Sequence, residues 1–530
     1  MKIRIILFIF LCLSAAKARA TIWNSDGSPA DVQSIHDLFA VDGDTITIPS
    51  GTFSWTGTVL LTKAITLQGN TTTDAPASSS SVDNTIIYDD LPVGLNIGLI
   101  QLLAPGGQRV TGISFYPGVT QMDSNGIILV RGAAPARIDH CVFDHVFMSP
   151  MIGVSEYNYG VIDHCVKRNP VSNEGLVHFR MGNQSQDHGD TPWTLPADYG
   201  GPDFFFVEDN WSAGGLDLTL GSKAVVRHNV FMFANLSSHG TGFTFHDGRA
   251  ARAIEAYDNE FHLATNYHQL TGPNGGGAVI HDNEVIPLSG GVSGISIGDF
   301  RFIYSFGPAF YGVSGVNPWD LNDPQLFAQG TITATSGSTI TDSTKNWTPN
   351  QWAGYAILRP SDQVSALILS NTSNTLTIDQ WQDQGFAVGN TYEIHKALRA
   401  LDQPGLGMQT GTMDRANPRW MQQATEPCYQ WNNTDQNNQL LIWNVTNASP
   451  LVIVAGRDYY DNTPMPGYTP YVYPHPLVTG EPTPTPTPIP TETPTPTPTE
   501  TPTPTETTTP TPTETPTPTP TATATATPGP

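Results

Sequence analysis

The chain has 530 residues, 38% of them apolar and 13% charged, and a formal net charge of −24. So acidic a surface excludes nucleic acid as the natural partner, because phosphates demand clustered Lys and Arg. Binding a polyanionic sugar would equally need a local basic groove or a bridging cation. With only four cysteines, a disulfide-built scaffold is excluded as well.

Residues 1–20 read as an export signal: Lys2 and Arg4, an apolar run over 5–13, and Ala18-Arg19-Ala20 as the cleavage site before Thr21. The run is shorter than the roughly 20 apolar residues that cross a bilayer, and no later segment approaches that length. The mature protein is therefore expected to be secreted, extracellular or held at the cell surface, with no transmembrane segment. Cleavage leaves 19 basic against 47 acidic side chains, a charge of −28. It also removes Cys12 and leaves Cys141, Cys165 and Cys428, with no Cys/His spacing that forms a zinc site.

Next in the chain, Ser28 and Pro29 open a short helix with Val32, Ile35, Leu38 and Phe39 expected on one face. An alternating strand over 45–48, a turn at Pro49-Ser50-Gly51 and a further strand ending at Gly69 follow. Then a short pattern recurs: Ile138-Asp139-His140-Cys141, Ile162-Asp163-His164-Cys165, Val207-Glu208-Asp209-Asn210, Val226-Arg227-His228-Asn229, Ala256-Tyr257-Asp258-Asn259 and Ile280-His281-Asp282-Asn283. Successive copies lie 24, 45, 19, 30 and 24 residues apart, and the interval of 45 holds two coils or one long loop. A repeat of this length means a solenoid. Each coil has strands that cannot bury their apolar face alone, so coils stack and share a core, and the terminal coil needs a shield such as the 29–39 helix. Stacking at about 4.8 Å puts like residues in columns. The column Cys141, Cys165, Asn210, Asn229, Asn259, Asn283 is then an inward ladder, in which Asn bonds backbone and the next Asn while Cys fills the same small slot.

The solenoid with its cap is placed at 21–328. Residues 329–396 break the rhythm with short strands between Gly, Asn and Ser turns, which predicts a small inserted β-barrel or sandwich. Trp347, Trp352 and Trp381 supply its core or a platform for a sugar ring. Residues 397–480 are expected to give closing strands and an end cover. From 481 to 530 the chain is nearly all Pro and Thr, a disordered tail, spacer or glycosylated stalk through which a cell wall or a further domain could be attached.

The stretch from Asp31 to Gly69, the Asp-Asn and His-Asn coils and the ending Tyr468-Thr-Pro-Tyr-Val-Tyr-Pro-His-Pro476 resemble secreted bacterial proteins of the pectate-lyase-like, right-handed β-helix superfamily. The similarity covers most of 21–480 and is to a branch largely without assigned activity. It implies an all-β, right-handed parallel β-helix with an N-terminal capping helix and a small inserted β-domain.

Three places could carry chemistry. The residues two before each ladder position, Asp139, Asp163, Glu208, Arg227, Tyr257 and His281, are expected to face outward, with carboxylates on adjacent coils at glycosidase-like spacing, or simply solvated, or ligating calcium. Secondly, the chain after Asn229 matches the chain after Asn259: Phe231 with Phe261, Ala234 with Ala264, and His239 with His268 after one deletion. Two histidines are thus expected on neighbouring coils, with His246, Asp247, Arg249 and Arg252 nearby. A β-eliminating lyase needs a base beside the uronate carboxylate and positive charge to hold the developing anion. His239 or Arg249 is the candidate base and His268 or Arg252 the carboxylate-binding group, with His246 and Asp247 as further substrate contacts. The resemblance implies Arg or Lys as base and calcium as the electrophile. Thirdly, the long loop from His178 to Trp193 offers Arg180 and Trp193 to a sugar, and Asp187 and Asp190 as weak calcium ligands, short of a full Asp-x-Asp-x-Asp-Gly loop.

Two readings follow. One is an enzyme, a polysaccharide lyase or glycoside hydrolase using the side of the solenoid, with Ca²⁺ as the conceivable cofactor. The other is a non-catalytic adhesin or carbohydrate-binding spike on a Pro/Thr stalk. Both put an extracellular polysaccharide as the partner.

Overall fold

The computed structural model describes residues 20–480 except 93–96, 119–125, 133–134, 145–149, 156–158, 170–174, 181–194, 234–235, 239–249, 265–266, 299–325, 363, 379–384, 397–403, 406–423, 425 and 447–452. The body is a parallel β-helix built from three long sheets of 12, 10 and 7 strands. One coil shows the plan. Phe205–Glu208 lies in the first sheet, Trp211–Ala213 in the second and Leu216–Thr219 in the third, and Lys223–Arg227 then begins the next coil beside Phe205–Glu208. Alternation sends every second side chain inward. Ile138, Ile162, Val207, Val226, Ala256 and Ile280 are register partners in turn and are all fully buried.

Ile162 pairs directly with Val207. The 45-residue interval is therefore a single coil, with its extra residues placed in the chain between Val177–Arg180 and Phe205–Glu208.

The recurring motif has a backbone cause. The residue before each ladder position, His140, His164, Asp209, His228, Asp258, Asp282 and Asn432, has φ between 50 and 58°. Asn, Asp and His tolerate this left-handed conformation better than other residues, and the turn selects them. The next residue then points inward. Nδ2 of Asn229 donates to the Val207 and Arg227 carbonyls and to Oδ1 of Asn259 at 2.8–2.9 Å, and its Oδ1 accepts from the backbone and side chain of Asn210. The same set repeats at Asn259 and Asn283 and ends on Asn433, 150 residues beyond Asn283. Cys165 sits in the ladder with its N–H donated to Asn210 Oδ1 and its thiol directed to the Ile138 carbonyl.

Between the strands Gly277–His281 and Cys428–Trp431, which pair directly, the chain makes a separate seven-stranded antiparallel sheet from Ala328–Thr331 to Thr391–Lys396. Ile357, Ile368, Leu376, Tyr392 and Ile394 form its core, with Trp352 buried and Trp347 packed at its edge. Trp352 is thus a core residue and Trp347 a half-buried neighbour packed against that core; Trp381 lies outside the described residues.

The cap differs from expectation in one face. Ser28 caps the helix Pro29–Leu38 and Val32 and Ile35 are buried, but Leu38 and Phe39 are 71% and 54% exposed. The stripe at i, i+3 and i+4 is completed by His36 instead, which is buried, donates from Nδ1 to Asp37 and accepts at Nε2 from the Thr62 amide.

Residues 468–480 also depart from expectation. They do not cover the end of the stack but run along its side as a strap over the first sheet, ending in the short helix Pro476–Thr479 against Gly160–Asp163.

Candidate functional site

The outward column of the first sheet was expected to meet solvent. It is instead the bed of the strap, and Asp139, Asp163, Glu208 and Arg227 are all 0% exposed. Arg227 donates to the Tyr471 and Val472 carbonyls and to Glu208, Glu208 accepts the His475 amide, and Tyr473 bonds Asp209. Tyr257, His281 and Trp431 stack face to face at 4.8 and 4.3 Å, with the Tyr468 ring set edge-on against His281 and Trp431. Arg109 and Arg137 grip Asp139 and Asp163 through paired bonds of 2.6–2.9 Å. Burial alone would raise the Asp139 carboxyl, yet the bonds from Arg109 and His140 and the charge of Arg137 hold it well below the usual carboxylate range. For Glu208 burial wins over Arg227 and the carboxyl is raised. Carboxylates so enclosed fasten the strap and cannot reach a polymer.

The third sheet carries a second polar cluster, also largely buried, with His178 6% and Asp217 9% exposed. Inward residues Val177 and Phe179 alternate with His178 and Arg180, and Leu216 and Leu218 alternate with Asp217 and Thr219. Register pairs His178 with Asp217 on adjacent strands and aligns Arg131, Ser155, Arg180 and Thr219 in one column. Nε2 of His178 lies 3.3 Å from Asp217 Oδ2. A carboxylate at Nε2 fixes the tautomer with its hydrogen there and makes Nδ1 the basic nitrogen. The pair was missed from sequence, although Val177-His178-Phe179-Arg180 and Leu216-Asp217-Leu218-Thr219 show the same alternation.

Lys167 is a buried cation of the second sheet. Its stem lies in the column that stacks Phe143 and Phe231, burial lowers its amine to about 8, and Nζ donates to the Ala213 and Asn169 carbonyls. It ties the turn that leads into the third sheet.

Of the residues singled out from sequence, Arg180 is placed on the third sheet by its backbone. His268 is exposed, with Nδ1 3.3 Å from the Gly291 carbonyl. It precedes Leu270, which bridges to Ile295. Arg252 lies in the interior, fully buried, 2.7 Å from Glu426 and bonded to the Leu195 carbonyl. The structure therefore does not bring His268 and Arg252 into one cleft. His239, His246, Asp247, Arg249, Asp187, Asp190 and Trp193 lie outside the described residues; in the chain, 181–194 follow Val177–Arg180 and 239–249 follow Leu236–Ser238, both strands of the third sheet.

A calcium site was tested against the donors present. Among the described residues, Asp139, His140 and Asp163 form a cluster of metal-ligand type. Hard cations take oxygen donors, and here two guanidiniums already neutralise both carboxylates, so the set does not fit calcium. No helix among the described residues is long and apolar enough to cross a membrane.

Fold and site together define a parallel β-helix protein with a polar, histidine-bearing third sheet. No family model matches the chain, and no curated protein does. Among solved structures it is similar to an alginate lyase from Paenibacillus sp. str. FPU-7, at 12% identity over 52% of this chain and 90% of that one, with a TM-score of 0.32. It is also similar to a mutant of the PL6 family alginate lyase AlyGC, at 13% identity over 53% of this chain and 45% of that one, with a TM-score of 0.25.

Proposed function

We propose that this is an extracellular protein that binds an acidic polysaccharide across the coils of the third sheet and cleaves it by β-elimination. The observation that carries the reading is the in-register His178–Asp217 pair beside the Arg131–Ser155–Arg180–Thr219 column. In this scheme His178, oriented by Asp217, takes the proton beside the uronate carboxylate; that electron pair forms the C4–C5 double bond as the glycosidic bond at C4 breaks, and the leaving oxygen takes its proton from water. The positive charge that holds the developing anion is assigned to Arg131 and to Arg180, in register with it two strands on. His239 and Arg249, expected in the same roles, follow the strand Leu236–Ser238 of this sheet and belong to the same test.

The test is ultraviolet absorbance of unsaturated uronate ends, released from a panel of uronate polymers. His178→Ala is expected to slow release by about a hundredfold or more, and Asp217→Asn to slow it less. Retained rate in His178→Ala would assign the base to His239 or Arg249, each examined as its Ala variant. Absence of both unsaturated ends and new reducing ends on every polymer would overturn the enzyme reading in favour of a binding protein.

A further inference from the structure

The strap stops before the first coils. Its last residues, Leu477 to Gly480, form one wall of an open cavity of about 720 Å³, within the range of small-molecule sites. The floor is the outward face of the first sheet, where Thr66, Arg109 and Arg137 are register partners on successive strands. Gly106 and Gly107 line it as well.

Arg137 is fully engaged, holding Asp163 on one edge and the Leu477 and Val478 carbonyls on the other. Arg109 is not. Its Nε and Nη2 make paired bonds of 2.6 Å to Asp139, which fix the plane of the guanidinium. Nη1 has no hydrogen-bond partner among the described residues, and 39% of the side chain is exposed. A guanidinium pinned along one edge and open along another is pre-organised for a planar oxyanion, with little rotamer freedom left to lose. Arg109 and Arg137 stand against Asp139 and Asp163, and Asp42 also lines the cavity, so an oxyanion here would be held by directed N–H groups rather than by net positive charge.

We propose that this cavity is a second sugar-binding subsite, which takes the carboxylate or sulfate group of an acidic glycan on Arg109, on a different sheet from the His178–Asp217 pair. Thr66 and the Gly106–Gly107 backbone supply hydrogen-bonding groups for ring hydroxyls. The choice of a sugar rests on the polysaccharide reading above; the preference for an oxyanion rests on Arg109.

Calorimetric titration of the whole mature chain tests it, with a uronate hexasaccharide and a sulfated hexasaccharide as probes. The hexamer that binds is expected at two sites. Arg109→Gln should weaken one of them about tenfold or more and leave cleavage of short uronate oligomers unchanged, whereas His178→Ala should act on the other. Thr66→Phe fills the cavity while keeping the Arg109–Asp139 pair, so the same loss there separates blocked binding from damaged folding. If the third sheet is not a site, a single isotherm remains and Arg109→Gln still abolishes it. Loss of either hexamer in both variants supports the subsite, and the hexamer lost names the oxyanion. Isotherms unchanged in Arg109→Gln and Thr66→Phe overturn it.

Discussion

Truncating Asn229 to Ala tests the ladder as the element that fixes the coils. The change removes the Oδ1 that accepts the buried Asn210 amide and the Nδ2 bonds to the Val207 and Arg227 carbonyls. A buried donor left without a partner costs about 1–3 kcal/mol. The weakened carbonyls and the space of the lost amide bring the total to about 3 kcal/mol. Asn229→Cys fills the slot as Cys165 and Cys141 do two and three coils away, and is expected to lose about half as much. Urea unfolding of the mature chain measures the cost, and hydrogen exchange at the Asn210 amide locates it. A loss below about 1 kcal/mol, unchanged Asn210 protection, or a Cys variant worse than the Ala variant would refute the reasoning.

The strap should respond to pH through Glu255. Burial raises its carboxyl to about 7, although it accepts bonds from the Gly200 amide and the Tyr468 hydroxyl. The folded state holds this proton more tightly than the unfolded chain, so the stability it contributes is full below the ordinary carboxylate range and is lost as pH rises through about 7. Proteolysis within 468–480 should therefore quicken with rising pH across that window, and Glu255→Gln should flatten the response; an unaltered slope would refute it. Arg227→Met leaves Glu208 buried without its partner and should cost about 3–5 kcal/mol. Adding Glu208→Leu should restore most of the loss in thermal unfolding, and failure to do so would mean that the strap carbonyls, not the ion pair, dominate.

The solenoid was legible because one turn imposes the same two demands on every coil, a left-handed residue and then an inward amide, and the sequence answers with Asp or His followed by Asn. Its last copy, Gln430-Trp431-Asn432-Asn433, was overlooked because the inserted sheet puts 150 residues between it and Asn283. Periodicity also misjudged what covers the coils. Asp139 and Glu208 do face away from the core, but an alternating pattern cannot reveal a strap drawn from 468–480, far along the chain. Arg252 misled for a related reason: a charged residue after a variable segment looks exposed, whereas Glu426 and the Leu195 carbonyl hold it inside. His178 and Asp217 were hidden because their contact depends on which strands pair, and the long loop between them obscured that register.

The direction of the strap sets a load path. It starts beside Trp431 and ends where Asp42, Gly43 and Gly480 meet, while Thr21 bonds Asp44 close by. Both ends of the described chain therefore emerge at the same end of the stack. Tension applied through the residues after Gly480 would reach Arg137 first, then His475 and Tyr473, and only last Tyr468, parting contacts one after another as a zip opens.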